Sequence, residues 1–352
     1  MSLIDDAVPV RAGESLDEAR LGDYLAAHIP GLEPPLRVRQ FPSGFSNLSY
    51  LLSAGGVEFV LRRPPTGTRP KSGHDMEREF RVLSGLRAGF PECPKPLHFC
   101  ADESVIGAQF YVVERIRGII LRRDYPPELE ATAGLVRAQQ RALIDVLARL
   151  HGLDYRTLGL ADLGRPLGYA VRQVRGWTER FLRASTADAP QSAEVTDWLA
   201  ANTPPESGRA ALIHNDYKLD NVVFDSRQPE RLIGVLDWEM ATIGDPLMDL
   251  GCSMAYWVEA GDGPDMLATR MLPTQLPGAL SRLEVLGRYS EASGLTADDF
   301  RFYRVFGLFR LAVIIQQIYF RYFHGQTKDQ RFAALGPMAH LLIRRALAEA
   351  KA

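Results

Sequence analysis

The sequence predicts an α+β chain of two lobes, a small antiparallel sheet with one internal helix followed by a larger, mainly helical part. Three observations lead there. Alternating segments flank Gly55-Gly56 in the first third, helical periodicity dominates after about residue 140, and one compact β-like stretch, 211–237, interrupts the helices. The 352 residues, 46% of them hydrophobic, are enough for about two domains. The division is expected as 1–114 and 115–352.

The elements follow in order. Leu16, Leu21, Tyr24, Leu25 and His28 recur at helical spacing until Pro30-Gly31 stops them. Strands are predicted at Arg37–Phe41, Leu48–Ser53 and Val57–Arg62, with Gly55-Gly56 as the hairpin turn and Pro64-Pro65 closing the third. A helix over 74–86 and a strand at Phe110–Glu114 complete the small lobe. Beyond Arg115, Leu143, Ile144, Leu147 and Leu150 form an apolar stripe ahead of His151, which is read as a packing residue. Helical periodicity returns over 170–183, 192–201, 264–292, 298–323 and 331–350. In the fourth of these, Phe302, Phe306, Phe309 and Val313 are read as core.

Composition excludes several classes. Lys and Arg total 41 against 43 acidic residues, so no basic domain marks a nucleic-acid binder. Cys93, Cys100 and Cys252 are odd in number and lack a C-x-x-C pair, which speaks against a disulfide framework or a thiolate zinc site. No apolar run approaches the ~18 residues of a membrane span, and the acidic N-terminus differs from a signal peptide. A cytoplasmic location is expected. H-E-x-x-H, G-x-S-x-G and G-x-x-x-x-G-K-[ST] are all missing, so zinc-protease, hydrolase and P-loop readings lose support.

The most informative segment is His214-Asn-Asp216-Tyr-Lys218-Leu-Asp-Asn221, followed after two short strands by Leu236-Asp237-Trp238-Glu239. Both Asp216 and Asp237 fall at strand ends. Phosphoryl transfer needs such a set: one carboxylate to orient a hydroxyl and take its proton, and hard oxygen ligands for the metal that bridges the phosphates. Asp216 is the expected base, and Asn221 with Asp237 the expected Mg2+ ligands. Lys218 would meet the transferred phosphate as a point charge; only five of the 41 basic residues are lysine, which sets it apart. His214 is expected to brace the loop. Turn chemistry alone would explain either fragment, but not the ordered set.

Residues 214–221 resemble the catalytic loop of eukaryotic-type protein kinases and, more closely, of the aminoglycoside phosphotransferase family. Within that family the chain is most similar to the branch found as the kinase-like domain of acyl-CoA dehydrogenase family members 10 and 11 and as free-standing bacterial proteins. Phe45-Ser-Asn-Leu-Ser-Tyr50, Val60-Leu-Arg-Arg-Pro-Pro65, His74-Asp-Met-Glu-Arg-Glu-Phe80, Arg172-Gln-Val-Arg-Gly-Trp177 and Leu236-Asp-Trp-Glu-Met-Ala-Thr-Ile-Gly-Asp-Pro246 carry the likeness, over roughly residues 15–260. The resemblance implies a protein-kinase-like fold that uses ATP. Arg62 then stands where kinases carry the phosphate-holding lysine, and Val60, on the same face of its strand, lines the base pocket. The backbone of Glu114 and Ile116 would meet the purine edge.

Ser43, Gly44, Phe45, Ser46 and Asn47 form a hairpin tip that can lay N–H groups over phosphates, although Gly44 is its only glycine. On the helix after residue 74, Glu79 turns toward the sheet and is the expected partner of Arg62, whereas Glu77 points to solvent. The acceptor would meet the larger lobe. Arg172 and Arg175 are candidates for an anionic substrate, and Glu239 joins Asp220 as the only acidic candidates nearby. Kinship points to a hydroxyacyl-CoA or hydroxy acid, with a dehydrogenase pathway partner; aminoglycosides and choline are the wider family's alternatives. The rival reading is a catalytically silent nucleotide-binding module, for which Arg62 and the glycine-poor tip are the evidence.

Overall fold

A computed structural model describes residues 4, 6–42, 47–65, 75–205, 209–296, 299–327 and 329–352. Helix α1 (Glu18–Ala26) starts at Asp17, whose carboxylate accepts the Arg20 N–H. The small lobe then adds β1 (Arg37–Gln40), β2 (Leu48–Ala54), β3 (Val57–Arg63), α2 (Met76–Leu86), β4 (Pro96–Cys100) and β5 (Phe110–Glu114). Its five strands run antiparallel in the order β1-β2-β3-β5-β4. Strand β4 is an addition to the sequence reading. It opens on a proline, sits at the sheet edge and is only half-buried, so no alternation announces it.

The two faces of the sheet have different neighbours. Phe59, Leu61, Phe110 and Val112 bury with Leu21 and Leu25 of α1 in one cluster. The opposite face, with Tyr111 and Val113, joins α2 and the core of the large lobe. Period-two alternation therefore sends Val60 and Arg62 toward the space between the lobes.

The large lobe comprises α3 (Ala133–His151), α4 (Tyr169–Arg183), α5 (Ala193–Ala201), β6 (Ala211–Ile213), β7 (Val222–Phe224), β8 (Leu232–Val235), β9 (Thr242–Gly244) and α6 (Pro246–Met254). It closes with α7 (Pro264–Thr269), α8 (Arg282–Ser293), α9 (Arg301–Phe323) and α10 (Leu335–Lys351). The helix expected over 264–292 is two helices, because Pro273 and Pro277 break it and Gly278 turns with φ 83°. Strand β7 pairs with β8, but β6 pairs with β9, a three-residue strand too short to read in advance.

Three local devices set the relation of the lobes. Ile119 exchanges both backbone bonds with Phe224 of β7, each at 2.8 Å. A Cβ on the neighbouring Gly118 would lie 2.2 Å from the Phe224 carbonyl, so only glycine allows that approach. Arg78 of α2 crosses to the large lobe and donates to the carbonyls of Leu163, Glu239 and Ala241. Within the large lobe, α6 and α9 meet glycine to glycine. A Cβ on Gly307 would sit 2.1 Å from the Gly251 carbonyl, and one on Gly251 would sit 2.3 Å from that of Tyr303. Among the described residues no helix is long and apolar enough to cross a membrane.

Candidate active site

Strand β6 ends in a corner whose geometry is fixed by buried polar bonds. The His214 ring is wholly buried; its Nε2 lies 2.8 Å from the Leu236 carbonyl and its Nδ1 3.2 Å from the Asp216 amide nitrogen. A carbonyl only accepts and an amide N–H only donates, so the ring carries its proton on Nε2 and is neutral. Asn215 adopts φ 65°, a left-handed conformation unusual for a side chain with a Cβ. Asp249 of α6, itself wholly buried, accepts the N–H groups of His214 and Asn215 at 2.8 Å each and meets His151 Nε2 at 3.1 Å. His151 is therefore a polar brace, a correction to its reading as packing alone. Its apolar stripe masked the carboxylate that arrives from about a hundred residues away.

Asp216 follows this corner. Its Oδ2 receives Lys218 Nζ at 2.5 Å and Asn221 Nδ2 at 2.8 Å, which leaves Oδ1 open to a hydroxyl. Lys218 is thus tied to the carboxylate rather than reaching freely outward, with Asp220 at 3.5 Å and the Tyr256 ring beneath it. Burial works against its charge, but Asp216 and its other neighbours raise its pKa above the ordinary lysine value.

The end of β8 closes the other side. Leu236 N–H donates to the Asn221 carbonyl at 2.8 Å, fastening the Asp216 loop to the Asp237 turn. Asp237 also has a left-handed backbone, φ 64°. Strain at two neighbouring polar corners is a pattern of functional sites. Arg62 lies between the carboxylates, 2.8 Å from Asp237, 3.6 Å from Glu79 and 3.9 Å from Glu239. Burial opposes charge on Asp237, yet Arg62 outweighs it and holds the carboxyl below its usual range. Burial wins at Glu79 and raises its pKa despite the same guanidinium. At an effective dielectric near 20 each close pair is worth about 4 kcal/mol of attraction before desolvation, enough to organise the group but not to neutralise three acids.

One cleft of about 410 Å³ between the lobes is lined among others by Val60, Arg62, Glu79, Lys218, Asn221 and Asp237, with Asp216 bonded to Lys218 and Asn221 of that lining. Glu114 and Ile116 line its connector edge. The Glu114 N–H is bonded to the Lys95 carbonyl, so this residue can offer a purine only its own carbonyl. Asn47 lines the cleft too and donates to Glu239 at 2.6 Å. Ser43, Gly44, Phe45 and Ser46 lie outside the described residues.

Three candidates for the acceptor stand elsewhere. Glu239 binds Asn47 and faces Arg62, because its 3-10 turn follows Asp237 toward the small lobe. Arg172 folds back on the carbonyls of Arg165 and Leu167, and Arg175 is 82% exposed and pairs with Glu179 one turn on. Both lie on the polar face of α4, away from the cleft.

The cleft fits a nucleotide and a hard divalent cation by the chemistry of its donors. Asn221 directs its amide nitrogen at Asp216, which leaves its amide oxygen free of that carboxylate, and Asn221 and Asp237 both line the cleft. Arg62 Nε is buried with no bonding partner among the described residues, a spare donor in the same wall. No group of three or more His, Cys, Asp or Glu that could hold a metal occurs among the described residues. Mg2+ needs none, since it binds through one or two protein oxygens with phosphates and water.

His214 also gives a pH signature. Burial lowers its pKa below the ordinary imidazole value, against the pull of Asp249 and Asp216. The unfolded chain then takes up the proton first. Its contribution to stability is complete above about pH 6.5 and declines as pH falls toward the folded value. His98, lowered by burial and by His28, acts in the same direction. We expect the melting temperature to fall from pH 7 to pH 5, and to fall less in His214→Gln. Parallel curves for the two proteins would refute the assignment.

Comparison with known proteins adds the following. Residues 37–282 match the model of the phosphotransferase enzyme family. The chain is 35% identical over 336 residues to acyl-CoA dehydrogenase family member 11 of Gallus gallus, covering 91% of this chain but 42% of that protein. It is 27% identical to thiamine kinase of Escherichia coli, over 72% of this chain and 76% of that one. A solved structure from Ralstonia eutropha, provisionally classed as an aminoglycoside phosphotransferase, superposes with a TM-score of 0.81 at 30% identity, covering 96% and 99% of the two chains.

Proposed function

We propose that this chain, which belongs to the phosphotransferase enzyme family, is a small-molecule phosphotransferase with an alcohol as acceptor, that ATP with Mg2+ is its donor, and that the cleft around Arg62 is where transfer occurs. The observation that carries this reading is that Asn221 and Asp237 line one interlobe cleft with Arg62, which bonds Asp237, while Asp216 is bonded directly to the cleft-lining Asn221 and Lys218. On this reading residues 1–114 grip the nucleotide and residues 115–352 hold the catalytic loop and the acceptor.

Each residue then has a role set by its contacts. Asp216 orients the acceptor hydroxyl through Oδ1 and takes its proton. Lys218 and Asn221, both bonded to Oδ2, fix the rotamer of that carboxylate. Arg62 offers its spare N–H to a phosphate, with Glu79 holding the guanidinium from behind. Asn221 and Asp237 supply the oxygens for Mg2+, which when bound neutralises charge on the phosphates. Val60 lines the base pocket, and the Glu114 carbonyl and Ile116 face the purine edge.

For the acceptor we favour a hydroxyacyl-CoA or hydroxy acid. The support is the kinship with acyl-CoA dehydrogenase family members, of which the chain spans less than half the length. On the same basis a dehydrogenase is the proposed pathway partner.

The test is thermal stabilisation by ATP with and without Mg2+, followed by phosphoryl transfer across hydroxyacyl-CoAs, hydroxy acids, choline and aminoglycosides. We expect Mg2+ to strengthen ATP binding and one class to turn over. Metal-independent binding without transfer to any acceptor would support the silent module instead.

A further inference from the structure

We infer that Arg310, far along the chain on α9, is a positioning residue for Asp216, and this inference rests on the catalytic role proposed for that carboxylate. Arg310 lies beyond the 37–282 segment matched by the family model. Its side chain is 3% exposed, yet no carboxylate pairs with it among the described residues. Burying a guanidinium without an ionic partner is costly, so its polar contacts need an explanation.

Its shortest polar contact is to one peptide unit, with Met240 Sδ at 3.7 Å as a weaker second acceptor. Arg310 donates to the Asn215 carbonyl at 2.6 Å, and its guanidinium lies over the Trp177 ring at 5.0 Å. The N–H of the same peptide group, that of Asp216, donates to His214 Nδ1. A peptide unit is planar, so a bond on the oxygen edge and one on the nitrogen edge fix its rotation. That plane ends at the Cα of Asp216 and sets where the carboxylate starts. It belongs to the left-handed corner at Asn215, which would relax if one edge were released. Burial works against the charge of Arg310, but Cys252, Tyr256 and Asp216 outweigh it, so the clamp remains cationic.

The placement of Arg310 follows from the helix crossing. Gly307 lets α9 touch the backbone of α6, and Arg310 lies three residues on, one turn along the same face. Asp249, which holds the N–H groups of the corner, lies on α6 two residues before Gly251. The two helices thus deliver an acceptor and a donor to opposite edges of one turn.

The experiment uses the full chain and measures Mg2+-ATP hydrolysis, KM for ATP and the melting temperature, at a temperature well below every transition. The variants are Arg310→Met, Arg310→Lys and Asp216→Asn. Gln316→Leu is the control: it removes buried bonds of the same helix to Ala184 and Thr186 without touching the corner. We expect Arg310→Met to lower turnover roughly ten- to a hundredfold with KM for ATP unchanged. Arg310→Lys, which still offers a donor, should recover part of the loss, and Gln316→Leu should lower the melting temperature but not turnover. Wild-type turnover in Arg310→Met alongside a dead Asp216→Asn overturns the inference and leaves the proposed function standing. Equal loss in Gln316→Leu and Arg310→Met also overturns it, since helix packing would then suffice. Retained turnover in Asp216→Asn overturns the proposed function itself.

Discussion

Asp216→Asn should lose about 10²–10⁴ in turnover while ATP affinity stays within about two-fold. The amide keeps the size of the carboxylate and can still accept from Asn221, but it is too weak a base to take a hydroxyl proton. Its second consequence is structural. Lys218 is largely buried and bonded to Asp216 Oδ2, with Asp220 3.5 Å away as its remaining anion. Removing the nearer charge leaves a poorly paired ammonium, so the variant should also melt at a lower temperature. Comparing transfer rate, ATP titration and melting curve separates these effects. A variant that turns over normally would remove Asp216 from the chemistry, whatever its stability.

The largest effect on folding is expected from Gly307→Ala. One methyl group would be placed 2.1 Å from the Gly251 carbonyl, backbone against backbone, with no flexible side chain to yield. Overpacking typically costs 1–3 kcal/mol, and with both helices buried the cost here should be about 3 kcal/mol or more. For a chain of this size that is a drop of roughly 6–12 °C in melting temperature, taking the scale for large single domains. If α9 shifts to relieve the contact, Arg310 and Asp249 move with the two helices, so activity should fall by more than the unfolded fraction explains. A melting temperature unchanged within error would show that the crossing accommodates a methyl group.

The parts of the molecule legible in the sequence were those encoded by short-range pattern. Alternation around Gly55-Gly56 placed β2 and β3 and put Val60 and Arg62 on the cleft face. The spacing of Asp216, Asn221 and Asp237 reflects a β7–β8 hairpin of fixed length, which local sequence specifies. What could not be read is carried by distant residues meeting in space. Asp249, His151 and Arg310 all serve the turn at Asn215, yet each looks locally like a helix residue of a packed core. Strands β4 and β9 depend on pairing partners rather than on their own periodicity. For the arginines of α4, helical spacing shows that side chains share a face, not what that face meets, and Arg175 pairs with Glu179 on it.

The connector between the lobes is fastened at both ends. Arg115 and Arg117 each bind Glu58 of the small lobe at 2.8 Å, and Ile119 is stitched to β7 of the large one. The pivot left between these anchors is only a few residues long. Any gaping of the jaws to admit a substrate must be a rocking motion about that axis rather than a glide of one half across the other. Its amplitude is checked at the far side by Arg78, whose three carbonyl partners act as a tether that must let go first.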